Sequence, residues 1–223
     1  METLSVKYRP KKFEDVIEQG ATITILKRQL ELHQFKNAYL FVGPSGVGKT
    51  TLARIFANGI NDGVGQPIEI DAASNNGVDN VKSIVASAQE RSLDSEYKIY
   101  IIDECHMITT AGWNAFLKCI EEPPQYTIFI FCTTDVQKVP ETITNRVQRF
   151  NLTKIKTSSI GRRLEHILSC ELGVDVGYYD FGDALEYIAK VSNGSMRQAI
   201  SYLEKCYDYN NNFTIDDVFE VLG

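Results

Sequence analysis

Residues Gly43-Pro44-Ser45-Gly46-Val47-Gly48-Lys49-Thr50 fit the pattern G-x-x-x-x-G-K-[ST]. The chemistry that this spacing serves is the holding of a phosphate chain. Glycines let backbone N–H groups close around phosphate oxygens, and a helix opening at the lysine adds favourable partial charge at its N-terminus. Lys49 then reaches the β- and γ-phosphates, and Thr50 offers a hydroxyl to Mg²⁺. The bland alternative is a glycine-rich turn. A second group is Asp103-Glu104, directly after the apolar run Ile99-Tyr100-Ile101-Ile102. A buried strand there delivers both carboxylates to its C-terminal edge, beside the loop. Asp103 would support the metal and Glu104 would polarise the water that attacks the γ-phosphate. Acidic residues commonly end strands, so this second signal takes its weight from the first.

These groups need a scaffold that brings several strand ends to one edge. Segments 37–42, 67–71, 98–103 and 127–132 are short, rich in β-branched or aromatic residues and bounded by turn or polar residues, which predicts buried strands. Helical patterns span 49–58, 78–91 and 109–120, and Pro123-Pro124 enforces a stop after the last. Alternation of strand and helix predicts an α/β fold with a parallel sheet covered on both faces. After Phe150-Asn151-Leu152 the remaining patterns are helical, at 158–172, 181–191, 195–209 and 214–222. The expected organisation is an α/β nucleotide-binding domain over 1–152 and a helical domain over 153–223.

Composition narrows the function classes. The 223 residues carry 23 Lys and Arg against 29 Asp and Glu, a formal net charge of −6, the wrong sign for binding nucleic acid by bulk electrostatics. No apolar run is long enough to span a membrane, and the N-terminus lacks the apolar core of a signal peptide, so a soluble cytoplasmic protein is expected. Five cysteines, Cys105, Cys119, Cys132, Cys170 and Cys206, form no C-x-x-C pair and read as reduced core thiols. Neither they nor His33, His106 and His166 have a zinc-ligand spacing. Asp103-Glu104-Cys105-His106 also spells the D-E-x-H of helicases with two motor domains, but the residues after Leu152 are too few to supply a second motor. Trp113 and Phe116, three apart on one helical pattern, read as core.

Nearly end to end, the chain resembles the AAA+ ATPases of sliding-clamp loaders, most closely the bacterial DNA polymerase III gamma/tau family. The resemblance rests on Lys7-Tyr8-Arg9-Pro10, Phe13-Glu14-Asp15-Val16-Ile17-Glu18-Gln19, the phosphate loop, Glu69-Ile70-Asp71-Ala72-Ala73-Ser74, Asp103-Glu104-Cys105-His106-Met107, Phe116-Leu117-Lys118, Glu121-Glu122-Pro123-Pro124, Thr133-Thr134-Asp135 and Gly194-Ser195-Met196-Arg197. It implies a five-stranded parallel sheet in the order 5-1-4-3-2 followed by a helical lid. Adenine would be held between the lid and the N-terminal segment around Tyr8, Arg9, Val16 and Ile17, with the phosphates on Gly43 through Thr51. Thr134 resembles sensor 1, Arg197 resembles sensor 2, and Arg146 stands where the family places an arginine finger acting on a neighbouring subunit's site. The segment 75–91 resembles the part that follows DNA, with Lys82 a phosphate contact.

The function implied is an ATP-hydrolysing motor subunit of a clamp loader, working with other loader subunits, a sliding clamp and primed DNA. Two alternatives stand beside it: a weakly hydrolysing assembly partner, and a related DNA-remodelling motor such as a branch-migration helicase. The sequence departs from the family pattern at Asn145-Arg146-Val147 in place of Ser-Arg-Cys, at Glu18 in place of Gly and at Gln198 in place of an acidic residue. The family's four-cysteine zinc module is absent from the short segment 58–66, and Gly223 falls where its helical collar would begin.

Overall fold

The structure, a computed structural model, describes residues 2–173 and 181–223. Its strands are β1 Ala38–Val42, β2 Ile68–Asp71, β3 Lys98–Asp103, β4 Thr127–Thr133 and β5 Gln148–Asn151. They form one sheet in the order β2-β3-β4-β1-β5, with every pairing parallel. This is the implied order 5-1-4-3-2 read from the other edge. Helices α1 Leu4–Lys7, α2 Gly20–Leu32, α3 Lys49–Ile60, α4 Val78–Ala88, α5 Thr110–Glu121 and α6 Glu141–Thr144 fall before and between the strands. Helices α7 Thr157–Leu172, α8 Gly182–Val191, α9 Met196–Tyr209 and α10 Ile215–Leu222 follow β5.

The chain divides into two compact units. One comprises residues 19–43 and 49–152, the other residues 1–18, 44–48 and 153–223. In the first, β4 is buried at every residue, as a central strand covered on both faces requires. On one face Leu40, Tyr100, Ile102, Phe129 and Phe131 pack with Val81 of α4 and with Trp113 and Phe116 of α5. The other face carries Tyr39, edge-on to Phe56 of α3 at 5.1 Å between ring centroids, and its hydroxyl donates to Gln29 of α2. Trp113 and Phe116 are core residues, as their spacing predicts. Register sets Val42 opposite Thr133 and Phe131 opposite Ile102, so the carboxyl ends of β1, β3 and β4 share one edge.

In the second unit, Ile160, Leu164, Ile167 and Leu168 form the i, i+4, i+7, i+8 stripe of α7 and pack with residues of α8, α9 and α10. Phe181 meets Phe213 at 4.9 Å. Leu4 of α1 belongs to this same core, and its backbone N–H donates to Glu204 Oε1 at 2.9 Å. Ser195 caps α9 by accepting from Gln198 N, and Thr214 with Asp217 forms a capping box on α10.

Cys105, Cys119, Cys132 and Cys206 are buried free thiols, and Cys170 departs from the core-thiol reading by being exposed. Burial pushes the Cys105 and Cys132 thiols well up, which keeps them protonated and unreactive. Among the described residues no helix is long and apolar enough to cross a membrane.

Candidate functional site

The strand edge positions the phosphate loop. Gly43, the residue after β1, donates its N–H to Thr133 O at 3.2 Å. A Cβ at Gly43 would lie 2.6 Å from Leu152 O, a backbone atom, so only glycine fits this junction. Gly46 turns the loop at φ +75°, and its carbonyl accepts from Met196 N, the first residue of α9, at 3.0 Å. That bond satisfies one of the donors a helix leaves unpaired in its first turn. Lys49 is buried, and its Nζ donates to Gly43 O at 2.9 Å, so the first and last parts of the motif are joined.

Thr50, at the head of α3, donates its hydroxyl to Asp103 Oδ2 at 2.7 Å, and Asp103 Oδ1 accepts from Glu104 N at 3.0 Å. A hydroxyl and a carboxylate side by side are the oxygen donors that suit Mg²⁺. The residues present therefore fit the metal that the motif implies. Glu104 stands at φ +47°, in the left-handed region, and its Oε2 accepts from Thr134 Oγ1 at 3.2 Å. The same oxygen lies 3.3 Å from His106 Nδ1, which is 3.1 Å from Thr133 Oγ1. Lys49, Thr50, Asp103, Glu104 and Thr134 thus gather at the carboxyl ends of β1, β3 and β4. His106 joins them without having been given a role by its type or spacing; in the sequence it stands only within the D-E-x-H pattern and the segment Asp103-Glu104-Cys105-His106-Met107 that carries the resemblance.

The other expected site residues fall in two places. Tyr8 donates to Glu171 Oε1 at 2.5 Å, and its carbonyl accepts from Arg163. Burial, then the Glu171 acceptor, pushes the Tyr8 phenol up, while Lys7 and then Tyr8 hold the Glu171 carboxyl below its ordinary range. Arg9 N bonds Val6 O, Val16 closes the turn from Phe13, and Ile17 packs on the helical core. Val47 is buried, Pro44 and Ser45 complete the loop, Thr51 follows Thr50 in α3, and Arg197 is in the first turn of α9, its Cβ 3.2 Å from where a Cβ on Gly46 would stand. Arg146 makes its contacts with α5 and α6, at 2.8 Å from Glu121 Oε1 and 2.7 Å from Thr142 O. Lys82 is exposed, 3.8 Å from Asp79. Glu18 has φ +62°, the backbone conformation that explains a family preference for glycine there, and its carboxylate accepts from Lys156 N.

Comparison with known proteins extends this picture. Residues 66–156 match the family model described as DNA polymerase III, delta subunit. The DNA polymerase III subunit tau of Bacillus subtilis is 37% identical over 97% of the chain, and the subunit gamma of Buchnera aphidicola subsp. Schizaphis graminum is 35% identical over 99%. The chain belongs to the DNA polymerase III tau/gamma family. It spans 41% of the length of the Bacillus relative and 65% of the Buchnera one. Among solved structures, the Thermotoga maritima RuvB Holliday junction branch migration motor aligns with a TM-score of 0.77 at 21% identity, over 96% of this chain and 72% of that one. At that identity the likeness concerns the fold alone, which is the P-loop AAA+ fold with a helical C-terminal part. The sequence similarity to the tau/gamma family is much the greater.

Proposed function

We propose that this chain is an ATP-binding and ATP-hydrolysing motor subunit of a sliding-clamp loader acting in DNA replication, with residues 1–152 as the nucleotide-binding domain and 153–223 as the lid. The observation that carries the reading is the Thr50–Asp103 pair beside Lys49, in a chain 37% identical to a tau subunit. Gly43 and Pro44 shape the loop, the backbone N–H groups of residues 45–51 and the Lys49 ammonium bind the phosphates, Thr50 and Asp103 would hold Mg²⁺, and Glu104 takes a proton from the attacking water. Thr134 and Arg197 meet the γ-phosphate, and Tyr8, Arg9, Val16 and Ile17 form the adenine side. Bound magnesium would neutralise charge on the β- and γ-phosphate oxygens. The partners are further loader subunits, a sliding clamp and primed DNA, with Lys82 as a contact to the DNA backbone.

Arg146 is the residue donated to a neighbouring subunit. It is now held by Glu121 in an exposed ion pair, and such pairs are worth only about 0–1 kcal/mol, so release into a neighbour's site is inexpensive. Arg146→Ala should bind ATP as the unaltered chain does and lose about 10³-fold or more of the turnover that rises with protein concentration and primed DNA. Steady-state ATPase rates across a concentration series test this. Unchanged turnover would overturn the role of Arg146, and tight ATP binding with no turnover in either protein would identify a nucleotide-gated assembly partner instead.

A further inference from the structure

We propose that His106 is a positioning residue for Glu104, fixing which carboxylate oxygen faces the attacking water; this rests on the reading of Glu104 as the general base. Glu104 needs such a partner. Its backbone is left-handed, just past the end of β3, and its side chain is 37% exposed, so neither strand pairing nor packing sets the carboxylate's direction. Two groups reach it, and both address Oε2: Thr134 Oγ1 at 3.2 Å and His106 Nδ1 at 3.3 Å.

His106 is itself well held. Its side chain is only 13% exposed, it stands in the short helical turn Cys105–Met107 anchored by fully buried Cys105, and Nδ1 is 3.1 Å from Thr133 Oγ1. Thr133 is fully buried and its hydroxyl oxygen accepts from Asp135 N at 3.0 Å. A carboxylate can only accept, so the proton of the imidazole belongs on Nδ1, between two oxygens. With Oε2 accepting from Thr134 and lying 3.3 Å from His106 Nδ1, Oε1 is the oxygen left to accept from water. Thr134 is also the residue assigned to the γ-phosphate. When its hydroxyl turns to phosphate, His106 alone keeps Oε2 fixed and Glu104 in its working direction.

The test uses the 223-residue chain under conditions of assembly-dependent turnover, comparing it with Glu104→Gln, His106→Ala, His106→Gln and His106→Asn. Asparagine places an N–H where Nδ1 stands, whereas the glutamine amide reaches only to the position of Nε2. Nucleotide affinity and thermal unfolding are measured separately for each. The expected result is a loss in kcat of about ten- to a hundredfold for the Ala and Gln variants, with ATP affinity changed less than about twofold, and recovery to within about threefold of the unaltered chain for Asn. Full turnover in His106→Ala, or a folded His106→Asn as slow as His106→Ala, would overturn the inference. If Glu104→Gln abolishes turnover while the His106 variants stay fast, only the inference fails. If Glu104→Gln is itself fast, the assignment of the base fails and the inference with it.

Discussion

Gly46 is where the phosphate loop and α9 are pressed together, and it gives a stability prediction that can be worked out atom by atom. A Cβ added at Gly46 would lie 2.0 Å from Ser195 Oγ, at a backbone φ of +75°. The left-handed backbone costs an alanine about 1–2 kcal/mol. The contact cannot persist, so Ser195 must rotate away and give up its cap on α9, a further cost of about 1 kcal/mol. Gly46→Ala should therefore lose about 2–3 kcal/mol, or roughly 4–12 °C in Tm for a chain of this size. Ser195→Ala alone should lose about 1 kcal/mol, the cap itself. In the double variant the cap is already gone, so Ser195→Ala should cost almost nothing on top of Gly46→Ala, leaving a coupling of about 1 kcal/mol. Denaturant unfolding followed by far-ultraviolet circular dichroism measures all four proteins. Additivity to within about 0.3 kcal/mol would refute the reasoning, because it would mean that Ser195 still caps α9 with the methyl group in place.

Two further outcomes follow from the structure. Phe116 is fully buried with Phe129, Phe131 and Trp113 around its ring, so Phe116→Ala should destabilise by about 3–5 kcal/mol in the same unfolding measurement, without altering the residues that hold nucleotide. Glu171 has its folded carboxyl held below the ordinary range by Lys7 and Tyr8, so its stabilisation is present above the unfolded value and is lost as pH falls through the folded one. Glu171→Gln should accordingly lower Tm at neutral pH, with the difference shrinking as pH falls through the folded value; a difference that stays the same from neutral to acid pH would contradict the ion pair's role.

Much of this architecture is legible in the residues, for reasons that differ by element. The strands at 98–103 and 127–133 are central and covered on both faces, so burial writes itself as an unbroken apolar run. Strand β5, Gln148–Asn151, carries no such run because it is short and pairs only with β1; here the resemblance, and not the pattern, supplies the fifth strand. Helix α2 is the longest of the elements the pattern misses. It opens on Gly20 after a left-handed Gln19 with no side-chain cap, and Thr22-Ile23-Thr24-Ile25 is a β-branched run that locally favours a strand. Its helix is held by tertiary packing at Thr22 and Leu26. At the site, Lys49, Thr50 and Asp103 are readable because their chemistry demands fixed spacing. His106 is not, because its role depends on Thr133 and Glu104 meeting through the register of β3 with β4, which no local window of sequence contains.

The packing of Trp113 has a practical side. It is the only tryptophan in the sequence, and it sits buried against Phe131 and Phe116 in the sheet-containing unit. Its emission is therefore a reporter of that unit alone, shifting to the red when the sheet opens, while the helical unit contributes tyrosine signal only. Circular dichroism weights both units. Comparing the two unfolding curves asks whether the chain melts as one body or two: coincident transitions would mark a single cooperative fold, and separated ones would give each unit a stability of its own.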